Sequence, residues 1–65
     1  MNDIPKMRIS TPLKDEHFYL AASAVMMEAC RYNKIKFRSI MITNVEVHYD
    51  PLDRNDYCVI SGKAY

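Results

Sequence analysis

The sequence has few of the residues and segments that mark several large classes of protein. It contains one glycine and two cysteines in 65 residues, and it has no low-complexity tract. Two cysteines without CxxC spacing make neither a disulfide framework nor a zinc motif, so we expect reduced thiols. No apolar run has the length of a membrane span, and the start, MNDIPKMRIS, lacks the basic and apolar segments of a signal peptide. We therefore expect a cytoplasmic protein with no membrane partner.

An excess of one charge is also missing. The chain has nine Lys and Arg residues against eight Asp and Glu residues, for a net charge of +1. This balance argues against a strongly basic polyanion binder and against an acidic mimic of nucleic acid, although a local patch stays open. A chain this short buries only about 60% of its unfolded surface, so it is marginally stable alone. We expect a second copy to complete the fold.

The order of the apolar patterns predicts a strand, a helix and two further strands. The first strand covers 6–10, KMRIS. Pro12 suits the first position of a helix with Thr11 as N-cap, and the helix is expected to end near 31–33. Asn33 is a candidate for the left-handed position that closes it.

Two runs rich in β-branched and aromatic residues follow, IKFRSIMITNVEVHYD and DYCVISGKAY, and a loop of turn-forming residues separates them. The sequence therefore predicts a single α+β domain over residues 1–65. In this fold one helix packs on a three-stranded sheet, and oligomerisation completes the core.

The predicted helix is apolar on two sides. At about 100° per residue one stripe is typical of a core. It gathers Phe18, Ala21, Ala22, Val25, Ala29 and Tyr32, with Met26 on its flank. A second stripe of Leu13, Leu20 and Met27 repeats every seven residues, with Ala24 beside it. A helix apolar on two faces is usually buried on two faces, so we expect the second stripe to meet another chain. The alternative is that these are scattered surface residues.

The long strand supports the same interpretation. From Phe37 to Tyr49 the odd positions make the better core face, yet Ile40 and Ile42 put an apolar patch on the even face. The predicted oligomer interface therefore comprises Leu13, Leu20, Ala24, Met27, Ile40 and Ile42. At about 3.3 Å per residue the run is long for so small a domain. It either bends at Thr43–Asn44 or reaches into a partner.

One pair of residues suggests a metal. If Tyr49 lies opposite Tyr57, then His48 faces Cys58, and two copies would supply a Cys2His2 set. The spacing fits no zinc pattern, so we favour the interpretation that His48 lies on a partly solvent-exposed sheet face beside the small thiol of Cys58. With Gly62 as the only glycine, the sequence gives no sign of an oxyanion hole for a cysteine nucleophile. We expect no metal, no cofactor and no catalytic residue.

A basic stretch with aromatic residues, RYNKIKFR, covers residues 31–38. It contains Arg31, Lys34, Lys36 and Arg38 as candidate nucleic-acid contacts, with Tyr32 and Phe37 between them. The structural alternative is that the basic residues are a helix end and the wet face of a strand. The two aromatic rings would then belong to the core.

The strand-helix-strand-strand order and the length resemble those of the dodecins, small flavin-storing oligomers, in architecture alone. Dodecins stack flavin on a tryptophan, and this sequence has no tryptophan. Likeness of architecture does not transfer a function, so no dodecin residue is assigned to this chain.

The sequence thus favours a small non-enzymatic module that binds itself, most simply as a dimer, and another protein. Its size suits an inhibitor or adaptor of a host protein, of the kind that mobile genetic elements encode. A nucleic-acid-binding regulator that uses the basic stretch is the alternative.

Overall fold

The helix and the three strands occur in the predicted order. The computed structural model describes residues 2–65, and its elements are β1 (Asn2–Ile9), α1 (Phe18–Tyr32), β2 (Ile40–Asp50) and β3 (Asn55–Ala64). The strands form one antiparallel sheet in the order β1-β3-β2. The helix α1 packs on one face of this sheet, which confirms the predicted α+β fold. No helix within residues 2–65 is long and apolar enough to cross a bilayer.

The start of α1 differs from the prediction. The helix begins at Phe18, so Thr11 does not cap it and Pro12 is not its first residue. The Asp15 backbone N–H donates to the carbonyl of Pro12 at 3.0 Å, and the Asp15 side chain accepts from the N–H of His17 at 2.8 Å. A short acidic side chain that bonds the backbone in this way competes with helix formation. Residues 12–17 therefore form turns ahead of the helix.

A backbone motif closes α1 one residue later than expected. Asn33 has φ −93°, and Lys34 takes the left-handed position with φ 58°. The N–H of Lys34 donates to the carbonyl of Arg31, and the N–H of Ile35 donates to that of Cys30. These two bonds define a Schellman motif, in which glycine is the usual left-handed residue.

The core face of the sheet is set by β3, its central strand. Alternate residues of this strand are buried: Cys58, Ile60, Gly62 and Ala64. Their partners therefore lie on the helix side of the sheet. On β2 these partners are Ile40 opposite Ala64, Ile42 opposite Gly62, Val45 opposite Ile60 and Val47 opposite Cys58.

One extra residue in β2 changes which positions face the helix. Ile42 pairs with Gly62 and Asn44 pairs with Ser61, so Thr43 is left over as a bulge. The irregularity lies at the position given above for the first of two alternatives, a bend in the strand. Because of it, even positions face the helix before Thr43 and odd positions face it afterwards. The expectation that Ile40 and Ile42 lie away from the core is wrong, since both are half-buried against it.

The core gathers ten buried apolar residues from β1, α1 and β3, and half-buried residues of β2 pack against them. They are Ile4, Ile9, Phe18, Ala22, Met26, Ala29, Cys30, Cys58, Ile60 and Ala64. Most of the predicted core stripe of α1 is present. Tyr32 is the exception, because it is 89% exposed at the end of the helix. The prediction that its ring belongs to the core is wrong.

Gly62 lies where the helix and the sheet approach each other closely. A Cβ atom at this position would stand 2.9 Å from the carbonyl oxygen of Met41 and 3.0 Å from Sδ of Met26. Its φ is not positive, so the glycine is needed for space rather than for backbone conformation. The only glycine of the chain thus lets Met26 fill the centre of the core.

Candidate functional site

The helix side of the sheet has a covered end and an uncovered end. At the covered end, Ile40, Ile42 and Val45 of β2 pack against the core. At the uncovered end, next to the β2–β3 loop, Val47 is 56% exposed and Tyr49 is 59% exposed, although both follow the core-facing alternation. We refer to the exposed apolar residues at this end, Leu13, Val47 and Tyr49, as the uncovered end.

Element lengths explain why this end is left open. The helix has 15 residues and is about 22 Å long at 1.5 Å per residue. The strand β2 has 11 residues and spans about 35 Å at 3.3 Å per residue. A helix of this length does not cover the strand from end to end. The alternation of the strand predicted Val47 and Tyr49 on the core face, and a comparison of the helix and strand lengths would have shown that the helix does not reach them.

A hollow of about 440 Å³ lies at the uncovered end. Segment 12–14, which the late start of α1 leaves outside the helix, forms one wall, and β2 and β3 form the other. The lining residues are Pro12, Leu13, Lys14, Val47, Asp56, Tyr57 and Cys58. Leu13 is 48% exposed, so its side chain faces solvent as well as the hollow. An open, mainly apolar space of this size suits an apolar side chain from another molecule.

His48 and Cys58, the pair considered and not favoured as metal ligands, are not brought together. His48 lies opposite Tyr57, and Cys58 lies opposite Val47, so the predicted register is wrong by one residue. His48 therefore sits on the open face, where its ring stacks on Tyr57 with centroids 5.3 Å apart. Cys58 is buried on the helix side. Within residues 2–65 no group of three or more His, Cys, Asp or Glu side chains is arranged to hold a metal ion.

The open face carries a cluster that the sequence analysis did not identify. The guanidinium of Arg8 lies over the ring of Tyr57, 3.9 Å from its centroid, and also donates to Asp50 at 3.1 Å. Asp50 accepts a further bond from the N–H of Leu52 in the loop. The pKa of Asp50 is lowered, mainly by the hydrogen bond from Arg8 and then by the bond from the Leu52 N–H.

A second cross-sheet pair lies beside it on the same face. Nζ of Lys6 is 3.4 Å from Oε2 of Glu46, and Nε2 of His48 is 3.2 Å from Oε1 of Glu46. The pKa of Glu46 is lowered, first by the hydrogen bond from His48 and then by the charge of Lys6. These exposed pairs connect β1 to β2 across the central strand. A signal for them was present in the alternate charges of residues 6–8 and 46–50.

The basic stretch is exposed at the opposite end of the helix. Arg31 pairs with Glu28 on the same helix. Arg31 lies in the last turn of α1, and Lys34, Lys36 and Arg38 are exposed on the connection from α1 to β2. Phe37 is half-buried against the core, as the structural interpretation required. Tyr32 is instead exposed beside the basic residues, as noted above.

The predicted oligomer interface is split between different surfaces. Leu20 is 73% exposed and Ala24 is also exposed on α1, whereas Met27 is half-buried. Leu13 lies in the turns before the helix, so it does not continue the seven-residue stripe. As described above, the two isoleucines belong to the core. Only Leu20, Ala24 and Met27 remain together on one helix, and their contact with another chain stays a prediction.

No protein-family model, no curated protein and no solved structure matches this chain.

Proposed function

We propose that this chain is a small non-enzymatic protein-binding module that acts as a homo-oligomer. The observation that carries the proposal is the hollow at the uncovered end, which we propose receives an apolar side chain of a partner protein. Leu13 and Val47 border it while each is about half exposed. Protein interfaces obtain most of their affinity from a few apolar or aromatic anchors held in such pockets.

The edge of the hollow supports a protein rather than a small apolar ligand as the occupant. Lys14 and Asp56 line it together with the apolar residues, so both signs of charge are available next to the apolar floor. A polar rim around a central apolar pocket is typical of protein interfaces. We expect the partner segment to present one large apolar residue with polar neighbours.

The proposed cellular role is that of an inhibitor or adaptor of a host protein, of the kind that mobile elements encode. A module of this size acts by occupying a site on its partner. We place this activity in the cytoplasm. Cys30 and Cys58 are unbridged and buried, which agrees with a reducing compartment.

Selection of peptides from a displayed random library against the immobilised protein tests the binding site. We expect the enriched peptides to share one large apolar residue and to lose binding to Leu13→Glu, because a carboxylate at the hollow cannot be solvated once the peptide covers it. Leu52→Glu is the matched control, since Leu52 is 92% exposed at the tip of the loop and does not line the hollow. No enrichment, or equal binding to both variants, would refute the proposal.

A nucleic-acid-binding regulator is the second candidate, and the exposure of Tyr32 favours it. An exposed ring among Arg31, Lys34, Lys36 and Arg38 is suited to stack on a base while the cations contact phosphates. Retention of single-stranded nucleic acid at low salt would support this candidate. Tyr32→Ala is then expected to weaken binding, and Lys34→Gln with Lys36→Gln to lower the salt slope by about one for each phosphate that the protein no longer neutralises. Salt-insensitive or absent binding excludes it.

A further inference from the structure

We propose that two copies of the chain pair antiparallel along the free edge of β2, with the two-fold axis at Val47, to form one six-stranded sheet. The inference deepens the homo-oligomeric part of the proposed function by naming the surface and the register. It does not depend on what the hollow binds.

The two edge strands are protected to different degrees. On β1 the register shifts between Ile4 and Met7, and the intervening residues are Pro5, which has no N–H to donate, and Lys6. Proline, lysine and an irregularity are devices by which proteins block an edge strand. On β2 the stretch from Asn44 to Asp50 pairs regularly with β3 and contains neither proline nor lysine.

The free side of β2 offers a ready row of backbone groups. Within residues 2–65, β2 is hydrogen-bonded to β3 on one side, and no strand lies on its other side. An edge strand of this length with unpaired N–H and C=O groups is a template for another strand. Because a second copy carries the same edge, an antiparallel pairing about a two-fold axis satisfies both rows at once.

The helix-side residues agree with an axis at Val47. In that register Val47 lies opposite its own copy, and Val45 lies opposite Tyr49 of the second copy, twice by symmetry. Cross-strand pairs of β-branched and aromatic residues stabilise sheets. Val47 and Tyr49 are each more than half exposed in the single chain, so the pairing gives both apolar neighbours. It also brings the two hollows to either side of the axis.

The residues of the open face agree with the same register. Glu46 lies opposite His48 of the second copy, and Asp50 lies opposite Asn44, again twice by symmetry. Both contacts pair a carboxylate with a group that donates a hydrogen bond. Glu46 already accepts from His48 within its own chain, so the dimer would place each carboxylate between two imidazoles.

Neighbouring registers are less favourable. An axis at Glu46 sets that carboxylate against its own copy, and an axis at His48 sets Glu46 against Asp50 on both sides. Like charges directly opposite each other destabilise a sheet. An axis at Tyr49 pairs only the last few residues of the strand, and an axis at Val45 brings the bulge into the ladder. An axis at Val47 is therefore the register that combines a long paired segment, apolar cross-strand contacts and no directly opposed like charges.

Cysteine cross-linking tests both the surface and the register. Residues opposite each other in an antiparallel pair have Cα atoms about 4.5–5.5 Å apart, within reach of a disulfide. Val47→Cys is expected to form a symmetric covalent dimer on mild oxidation. Cys58 is the neighbour of Val47 within the chain, so the variant is made with Cys58→Ala to remove the competing thiol. Val45→Cys in the same background is the matched control, because it faces Tyr49 and not its own copy.

Sedimentation of the unmodified protein and of Val47→Asp completes the test. We expect a dimer at micromolar concentration, and loss of that dimer when two carboxylates meet at the axis, with the circular dichroism spectrum retained. Met41→Asp, on the open face near the other end of β2, is expected to leave the dimer intact. A monomer at high concentration would overturn the inference, as would equal cross-linking of both cysteine variants or a dimer dissociated by Leu20→Glu with Met27→Glu instead. Peptide binding that depends on Leu13 can persist in any of these cases, so failure of the dimer and failure of the binding site are distinguishable.

Discussion

The two ends of the helix-side face differ in what covers them, although apolar residues of β2 face the helix side at both ends. At the covered end, Ile60 of β3 and Met26 of α1 are fully buried. At the uncovered end, Val47 and Tyr49 continue the pattern and remain more than half exposed. Alternation in a strand therefore predicts which face a residue occupies, but not whether anything lies over that face. The length of the helix and the position of its first turn decide which part of that face is covered.

The largest expected effect concerns a methionine under the covered end, compared with one on the opposite face of the sheet. Met26→Ala removes a side chain that is 0% exposed, and we expect a loss of about 2–5 kcal/mol in the free energy of unfolding. Met41→Ala is the matched control, because Met41 is 55% exposed on the open face, and its expected cost is below about 0.5 kcal/mol. Denaturant titration measures both. Equal costs would mean that the helix does not cover this end of the sheet.

The next effect tests how closely the helix approaches the covered end. Gly62→Ala places a methyl group against the Met41 carbonyl and the Met26 sulfur, at the distances given above. Overpacking of this kind typically costs about 1–3 kcal/mol. Ser61→Ala, at the neighbouring position on the open face, is expected to change stability little. A neutral Gly62→Ala would show that the helix stands further from the sheet.

A smaller effect of opposite sign is expected where the covering helix ends. Lys34 holds a left-handed conformation, which is costly for a residue with a Cβ atom. Lys34→Gly removes that cost but also increases the freedom of the unfolded chain, so we expect a net gain of about 0.5 kcal/mol. Lys36→Gly, where φ is not positive, is expected to give no gain. A loss of stability with Lys34→Gly would contradict the Schellman motif.

The smallest effect concerns the open face behind the uncovered end. The pKa values of Glu46 and Asp50 are lowered from ordinary values of 4.5 and 3.8. A carboxyl group with a lowered pKa contributes stability that is complete above its unfolded pKa and is lost as the pH falls through the folded value. We therefore expect stability to decline as the pH drops below about 4.5. The decline is expected to be shallower in Glu46→Gln with Asp50→Asn, and an unchanged profile would mean that these pairs do not hold β2 to β1.

Much of the fold followed from the sequence because its signals are local and repeated. The apolar stripe of the helix, the β-branched runs and the Asp-rich loop each recur over several residues, so a single misleading residue does not hide them. The start of the helix did not follow. Thr11 and Pro12 have the right chemistry for a helix start, but the Asp15 side chain bonds the backbone two residues later and delays it.

The register and the candidate site were harder to predict because each depends on a few residues at a bulge, a loop or a turn. Thr43 bulges out of β2 and reverses the alternation of its side chains. Even-numbered Ile40 and Ile42 and odd-numbered Val45 therefore lie on the same face of the sheet. The four-residue loop, closed by Arg54 in a left-handed conformation with φ 56°, shifts the pairing of His48 by one position. The hollow then arises from the turns at 12–14, which sequence patterns placed inside the helix.

The unequal edges of the sheet have a consequence for how far assembly can proceed. A filament that grows by strand pairing needs two unprotected edge strands on every molecule, so that each copy can pair with one on either side. In this chain Pro5 and Lys6 make one edge a poor acceptor, and the pairing proposed above consumes the other. Assembly would therefore stop at the dimer. A higher protein concentration would increase the fraction of dimer and would not produce longer oligomers.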